Sequence, residues 1–161
     1  DNVDVYGFEV ALQRQFDFIP GKFWKGLGIY LNYTYTKSDA KGITNQDGEE
    51  RTDVELPGTS PHMFNGSLSW ENKRFSARVS LNYTSDYIDE LGGNEFEDRY
   101  YDEQLFLDAN ASYKITDNFR VFAEANNLTN QPLRYYQGIA SRTMQMEYYR
   151  PRFNLGVKFD F

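Results

Sequence analysis

Apolar and polar residues take turns along most of this chain. In its last nine residues Phe153, Leu155, Val157, Phe159 and Phe161 are apolar, and Asn154, Gly156, Lys158 and Asp160 between them are small or polar. Period-two alternation puts all the apolar side chains on one face of an extended strand and all the polar ones on the other. The same pattern predicts seven strands. The first covers about 3–18, with Tyr6, Phe8, Val10, Leu12 and Phe16 on one face and Gly7, Glu9, Ala11, Gln13 and Gln15 on the other. The second runs from 27 to about 37, the third over about 62–71 and the fourth over 75–84. The fifth covers 104–115, the sixth 119 to about 127, and the seventh starts near Thr143 and runs to the final residue. No stretch has the 3.6-residue period of an amphipathic helix.

The connections are sorted by length. Asn72–Lys73–Arg74 and Thr116–Asp117–Asn118 read as tight turns, and 17–26 as a longer turn on the same side. The other side carries three long loops, 38–61, 85–103 and 128–142. An up-and-down meander with short turns at one end and long loops at the other is the pattern of an outer-membrane β-barrel. The aromatic residues follow it. Phe18, Phe23, Trp24, Trp70, Phe75, Tyr113, Phe119, Phe159 and Phe161 fall at the short-turn end; Tyr33, Tyr35, Tyr83, Tyr87, Tyr135 and Tyr136 fall at the long-loop end. Two aromatic belts suit two membrane–water interfaces. One charge, Arg14, stands on the apolar face. It lies toward the short-turn end, where a long side chain reaches the headgroups at a cost of about 0–1 kcal/mol, against about 2–4 at the midplane.

Composition adjusts this picture without overturning it. Mean hydropathy is −0.72, which suggests a water-soluble chain, but an average over alternating residues conceals a wholly apolar face. A formal charge of −7 lacks the clustered basic surface that nucleic-acid binding requires. The absence of cysteine excludes disulfides, Cys–zinc sites and thiol catalysis. No apolar run approaches the roughly 18 residues of a spanning helix. The chain starts at Asp1 almost directly in a strand pattern, as expected of a mature chain or of a piece of a longer one.

Seven strands pose a closure problem. In a meander the first and seventh run the same way, whereas bacterial single-chain barrels have even strand numbers. Three solutions stand open: a late segment of a larger barrel, an eighth strand hidden from the pattern, or several chains sharing one barrel.

Residues 126–138, NNLTNQPLRYYQG, followed by YYRPRFNLGVKFDF at 148–161, resemble the C-terminal end of TonB-dependent outer-membrane receptors. DVYGFEVALQRQF (4–16), LNYTYTKSDA (31–40) and LPGTSPHMFNGSLSWE (56–71) resemble late barrel strands of the same family. The triplet Arg150–Pro151–Arg152 departs from the Pro-Gly-Arg often found there and carries no functional reading. The resemblance implies an all-β, antiparallel up-and-down barrel of about 22 strands with a plugged lumen. Residues 1–161 would form its C-terminal part, with the N-terminal plug and earlier strands lying outside this sequence. The implied function is import of a scarce nutrient (a ferric siderophore, cobalamin or a glycan) with TonB-derived energy. The implied partners are outer-membrane lipid, the plug and remaining strands, the TonB complex through that plug, the small-molecule nutrient, and the barrel-assembly machinery, which would read Phe161 as a C-terminal signal. No nucleic acid, resident cofactor or metal belongs to this reading.

Alternation puts Glu9, Arg78, Asp108, Arg120, Glu124, Arg152 and Lys158 on the face opposite the apolar one, which the resemblance implies is the inward face toward lumen and plug. Tyr100, Tyr101, Tyr135 and Tyr136 are the substrate-contact candidates, because ring faces stack on sugars and chelate rings. The only histidine, His62, opens a strand without the surroundings of a catalytic nucleophile. The acidic loop 85–103 carries eight carboxylates but not the spacing of a calcium loop. Alternative readings are a passive or structural outer-membrane barrel and a soluble all-β binding module; an enzyme finds no support in any motif.

Overall fold

The computed structural model describes residues 2–45, 47–52 and 54–160. In chain order these form β1 (Asn2–Gln15), α1 (Lys22–Gly26), β2 (Leu27–Lys41), β3 (Ile43–Thr44), β4 (Glu50–Arg51), β5 (His62–Glu71), β6 (Phe75–Thr84), β7 (Tyr87–Glu90), β8 (Arg99–Tyr101), β9 (Gln104–Lys114), β10 (Phe119–Asn126), β11 (Leu133–Gln137), β12 (Thr143–Glu147) and β13 (Arg152–Phe159). The seven long strands make one antiparallel meander in the order β1-β2-β5-β6-β9-β10-β13.

The register carries each face across the whole sheet. Leu12 sits opposite Leu31, Leu31 opposite Gly66, Gly66 opposite Leu81, and Leu81 opposite Leu107. Ala111 pairs with Ala123, and Ala123 with Leu155. The polar face is equally continuous: Arg78 pairs with Asn110, Asn110 with Glu124, and Glu124 with Asn154. A slip of one residue at any strand would reverse its faces, so hydrocarbon on one side fixes the register. The apolar side chains face outward with nothing of this chain over them; Leu155 is 86% exposed and Phe153 71%. A contiguous apolar surface of that kind belongs against lipid. Among the described residues the buried hydrophobic side chains are Ala40, Ile88, Leu91 and Tyr136, all at the long-loop end.

The short-turn belt forms, and the outer belt forms around Tyr33 and Tyr35, but Tyr87, Tyr135 and Tyr136, expected in it, lie instead in β7 and β11, with Tyr136 buried. At the short-turn end Phe23 meets Trp24 at 5.4 Å and Trp70 at 6.1 Å, and Trp70 meets Phe75 at 5.8 Å. The Trp70 indole N–H donates to the Phe23 carbonyl at 2.8 Å, giving a half-lipid ring its polar partner. The Arg14 guanidinium stacks over Phe18 at 4.8 Å, at the level expected for a snorkelling side chain. At the opposite end Phe8 lies 6.0 Å from Tyr33 and 5.7 Å from Tyr35. His62 belongs to this outer belt. Its ring meets Tyr33 and Tyr35, and Nδ1 lies 2.8 Å from the Tyr33 hydroxyl.

The first strand ends at Gln15 rather than near 18, and three further expectations need correction. The turn at 17–26 holds one helical turn, α1, entered through Gly21 at φ 122°; five residues are too few to show a period. The second strand continues to Lys41, beyond the expected end near 37. The run from Thr143 is not one strand but two, broken where Arg150 takes φ 62° ahead of Pro151. A proline disfavours the right-handed helical region for the residue before it, and the chain turns a corner there. The long loops also hold structure of their own. β12-β11-β8-β7 form a second antiparallel sheet. Its strands continue β13, β10, β9 and β6 respectively, in the same lateral order, so the second sheet is an upward extension of four barrel strands. The small β3–β4 hairpin stands above β2 and β5.

Candidate functional site

The segment that follows β10 is an interlocking turn. Asn127 and Asn130 both adopt left-handed backbone, φ 57° and 51°, a conformation asparagine tolerates better than most residues. The Asn127 side-chain oxygen accepts from the Gln131 amide at 2.8 Å, and the Asn127 amide donates to Asp108 at 2.8 Å. Leu128 N–H and the Thr129 hydroxyl donate to the carbonyls of Leu107 and Leu105, and Gln131 bonds the backbone of Leu105 and Glu103. The turn is thereby sewn to the upper end of β9.

Beside it, on the polar face, lies a cavity of about 430 Å³. It is lined by Tyr101, Gln104, Phe106, Asp108, Asn126, Asn127, Gln131, Leu133, Tyr149, Arg150 and Arg152. Arg150 and Arg152 have no ion-pair partner among the described residues. Asp108, the one carboxylate in the lining among the described residues, already accepts the Asn127 amide. In the lining itself two guanidiniums stand against one carboxylate, with Glu147 behind Tyr149 already taken by that phenol, and three aromatic rings stand around them. Guanidiniums and ring faces in one lining have the chemistry to meet an anion with planar, apolar parts.

The second sheet roofs this region and is held by arginine–carboxylate pairs. Arg134 reaches Asp102 at 2.7 Å, and Arg99 reaches Asp89 through Nε at 2.8 Å and Glu90 at 2.8 Å. Asp98, 2% exposed, accepts from Arg51 Nη1 and Nη2 at 3.0 and 3.2 Å and from the Gly92 amide at 2.9 Å. Its own carbonyl accepts from Gly138 N–H at 2.9 Å. Gly138 has φ 67°, and a Cβ there would lie 2.5 Å from the Phe96 carbonyl oxygen. All three long loops meet at Asp98.

The four expected tyrosines come together but divide by face. Tyr100 and Tyr136 stack with centroids 5.0 Å apart at 3°, and Tyr101 and Tyr135 meet at 4.8 Å. Tyr136 is buried, and its hydroxyl donates to Asp86. Burial, then that carboxylate, pushes its ionisation well above the ordinary phenol range. Burial first and the nearby Asp98, Glu55 and Asp86 charges next raise Tyr100; burial raises Tyr135, which lies under Arg99 at 5.3 Å. Tyr101 alone of the four lines the cavity. There Tyr149 donates to Glu147 at 2.6 Å, a bond that lowers the acid's pKa and raises the phenol's.

Glu9, Arg78, Asp108, Arg120, Glu124, Arg152 and Lys158 all fall on the polar face in register. Asp108 and Arg152 reach the cavity; the others lie elsewhere on that face. Phe161 lies outside the described residues. Of the acidic loop, Asp86, Asp89, Glu90, Asp98 and Asp102 are bonded to Tyr136, Arg99, Arg51 or Arg134 as given above, and among the described residues no group of three or more acidic or histidine side chains is placed to hold a metal ion. Sequence reasoning missed Phe106, Gln131, Tyr149 and Arg150. Phe106 had a signal: in Leu105–Phe106–Leu107 it breaks the alternation and puts a ring on the polar face.

Residues 1–128 match the family described as TonB dependent receptor-like, beta-barrel. Over 136 residues, 84% of this chain, it is 29% identical to the iron-regulated outer membrane virulence protein of Vibrio cholerae serotype O1, covering 19% of that protein. Its fold matches the ferric-catecholate import receptor Fiu from K12 E. coli with a TM-score of 0.68 at 18% identity, over 99% of this chain and 21% of Fiu. It matches the siderophore receptor PiuA from Acinetobacter baumannii with a TM-score of 0.67 at 17% identity, over 98% of this chain and 22% of PiuA. The chain thus spans about a fifth of the length of these relatives. With its lipid-facing alternation, its two aromatic belts and its short and long connections sorted to opposite ends, the chain belongs to the TonB-dependent receptor β-barrel family of the Gram-negative outer membrane.

Proposed function

We propose that this chain is the C-terminal part of the barrel of an outer-membrane receptor that imports an anionic metal chelate, a ferric siderophore, with TonB-derived energy. The observation that carries the reading is the cavity at the long-loop end of the polar face, where Arg150 and Arg152 stand unpaired among Tyr101, Phe106 and Tyr149. Unpaired guanidiniums beside aromatic rings recognise charged, ring-bearing ligands. The relatives described as a ferric-catecholate import receptor, a siderophore receptor and an iron-regulated outer membrane protein support the cargo class. In this reading the polar face lines the lumen, and the N-terminal plug and the earlier strands complete the receptor. TonB acts through that plug. The barrel-assembly machinery engages the final strand at Phe161. The chain binds and passes its cargo without chemical change.

The test uses the intact receptor in a strain lacking its own ferric-siderophore receptors. Uptake of a labelled ferric siderophore should require TonB, and Arg150→Ala should raise the half-saturating concentration about tenfold or more, from loss of a charge-assisted bond worth about 1.5–3 kcal/mol. Uptake unchanged by removal of TonB would instead mark a passive channel. Uptake insensitive to both Arg150→Ala and Arg152→Ala would remove the cavity from the path of the cargo.

A further inference from the structure

The strand ladder stops short at one place on the outer belt. β2 continues to Lys41 against β1, but its other neighbour, β5, begins at His62, opposite Tyr35. Beyond that pair the free edge of β2 meets only loop residues. Thr36 N–H donates to the Pro61 carbonyl at 2.9 Å, the Leu56 amide donates to the Ser38 hydroxyl at 2.9 Å, and Ala40 bridges Val54. Beside them the buried Ser60 and Ser85 hydroxyls bond each other at 3.0 Å, and Ser85 Oγ accepts from the His62 amide at 3.1 Å. A cavity of about 320 Å³ stands in this gap. It shares no lining residue with the cavity that holds Arg150 and Arg152.

Three of its lining residues, Tyr35, Lys37 and His62, leave the lipid face. Tyr35 lies between Phe8 and His62 in register, and Lys37 follows two residues on, opposite Tyr6. Two residues of strand rise about 7 Å, so Lys37 stands one step beyond the aromatic belt, at headgroup level. It is exposed and has no ion pair among the described residues; Asp4 and Asp39, opposite each other one step further, are not within ion-pair distance. His62 Nδ1 lies 2.8 Å from the Tyr33 hydroxyl. With Nδ1 as acceptor there, Nε2 carries the ring proton and is a donor. Two carboxylates complete the charged lining. Asp86 accepts the Tyr136 hydroxyl, while Glu55 is exposed and has no ion pair among the described residues. An ammonium and an imidazole N–H across from a free carboxylate match a sugar phosphate: the donors take the phosphate, and the carboxylate accepts from the sugar's hydroxyl and amide groups. A bare anion would gain nothing from Glu55. The volume lies at the lower end of small-ligand pockets and suits one sugar ring. The rim is continuous with the lipid-facing belt, so a headgroup reaches it without leaving the membrane.

We propose that the gap beyond the Tyr35–His62 pair binds the phosphorylated amino-sugar headgroup of an outer-leaflet glycolipid, with Lys37 and His62 on the phosphate and Glu55 on the sugar. The site rests on the lipid-facing register and is independent of the cargo. The bound headgroup braces the edge of β2 that no long strand covers.

The intact receptor, washed in detergent until free of glycolipid, should be titrated with a purified diphosphorylated outer-leaflet glycolipid and followed by native mass spectrometry. Lys37→Gln/His62→Gln should weaken retention about tenfold or more, from loss of charge-assisted and neutral bonds to one phosphate. Lys37→Arg, which keeps the charge, should stay within about threefold of the wild type, and Lys73→Gln at the short-turn end should change nothing. The same glycolipid stripped of its phosphates should bind the wild type about tenfold or more weakly, a comparison that needs no variant. Equal retention by the wild type and the double variant would overturn the proposal. So would equal binding of the dephosphorylated glycolipid, or of phosphatidylglycerol, which carries a phosphate without an amino sugar.

Discussion

Replacing Asp98 tests whether the three long loops act as one body. Its carboxylate accepts two bonds from Arg51 and one from the Gly92 amide, and it is 2% exposed. Removing one partner of a buried ion pair costs about 3–5 kcal/mol, because the other charge stays behind without compensation. The Arg51 side chain retains 16% exposure and a second bond to the Gly92 carbonyl at 3.0 Å, which gives its charge some relief, so Asp98→Ala should cost about 3 kcal/mol. At about 1.4 kcal/mol per factor of ten, opening of the second sheet should become about 100-fold more frequent. Amide hydrogen exchange on the intact receptor in micelles reads this directly. Protection should fall at Gly92, at Gly138 and through Arg99–Tyr101 and Leu133–Gln137, and stay unchanged in the seven-stranded sheet. Arg51→Ala and Asp98→Ala should be strongly non-additive, with a coupling of about 0.5–3 kcal/mol. A rise in exchange below about tenfold, or additive effects of the two substitutions, would refute the picture of a shared anchor.

Two other substitutions probe different parts of the wall. Gly156 lies opposite Phe122, and a Cβ there would come within 2.3 Å of the ring tip; Gly156→Ala should cost about 1–3 kcal/mol, seen as a lower unfolding temperature in heat-modified electrophoresis, and the penalty should vanish in a Phe122→Ala background. Tyr136 ionises above the ordinary phenol range because of burial first and Asp86 second. The unfolded phenol titrates near pH 10, so the stability this group gives the second sheet is complete below about pH 10 and is lost as pH rises through the folded value. Tyr136→Phe should remove that share of the alkaline loss, measured as loop proteolysis across the alkaline range.

Strands β5 and β6 were legible in the sequence at both ends, and β9 to within one residue, because lipid on one face forces every second side chain to be apolar. The second sheet was hidden for the same reason reversed. β8 is three residues, Arg99–Tyr100–Tyr101, with water or protein on either side and no alternation to display; it is held by side-chain pairs such as Arg51 with Asp98, 47 residues apart in the chain. The tyrosine cluster could be guessed, but not its division. Tyr136 is spent on Asp86 while Tyr101 faces the cavity, and that depends on which side of a short strand each falls. The Arg150–Pro151–Arg152 triplet looked like a mere departure from the family pattern, yet the left-handed turn at Arg150 places both arginines in the cavity lining.

The meander also limits how such a wall can change over time. Because β1 and β13 lie at the two ends of an odd run, both descend toward the short-turn side. Insertion or loss of a single strand anywhere between them would send every later loop to the wrong side of the membrane and invert the belt that each aromatic residue serves. Only whole hairpins can be added or removed while leaving the rest in place. The natural unit of inheritance in this sheet is therefore a pair of strands with its connection, such as β5 and β6 with the Asn72–Lys73–Arg74 turn, and size variation among related walls should proceed in steps of two.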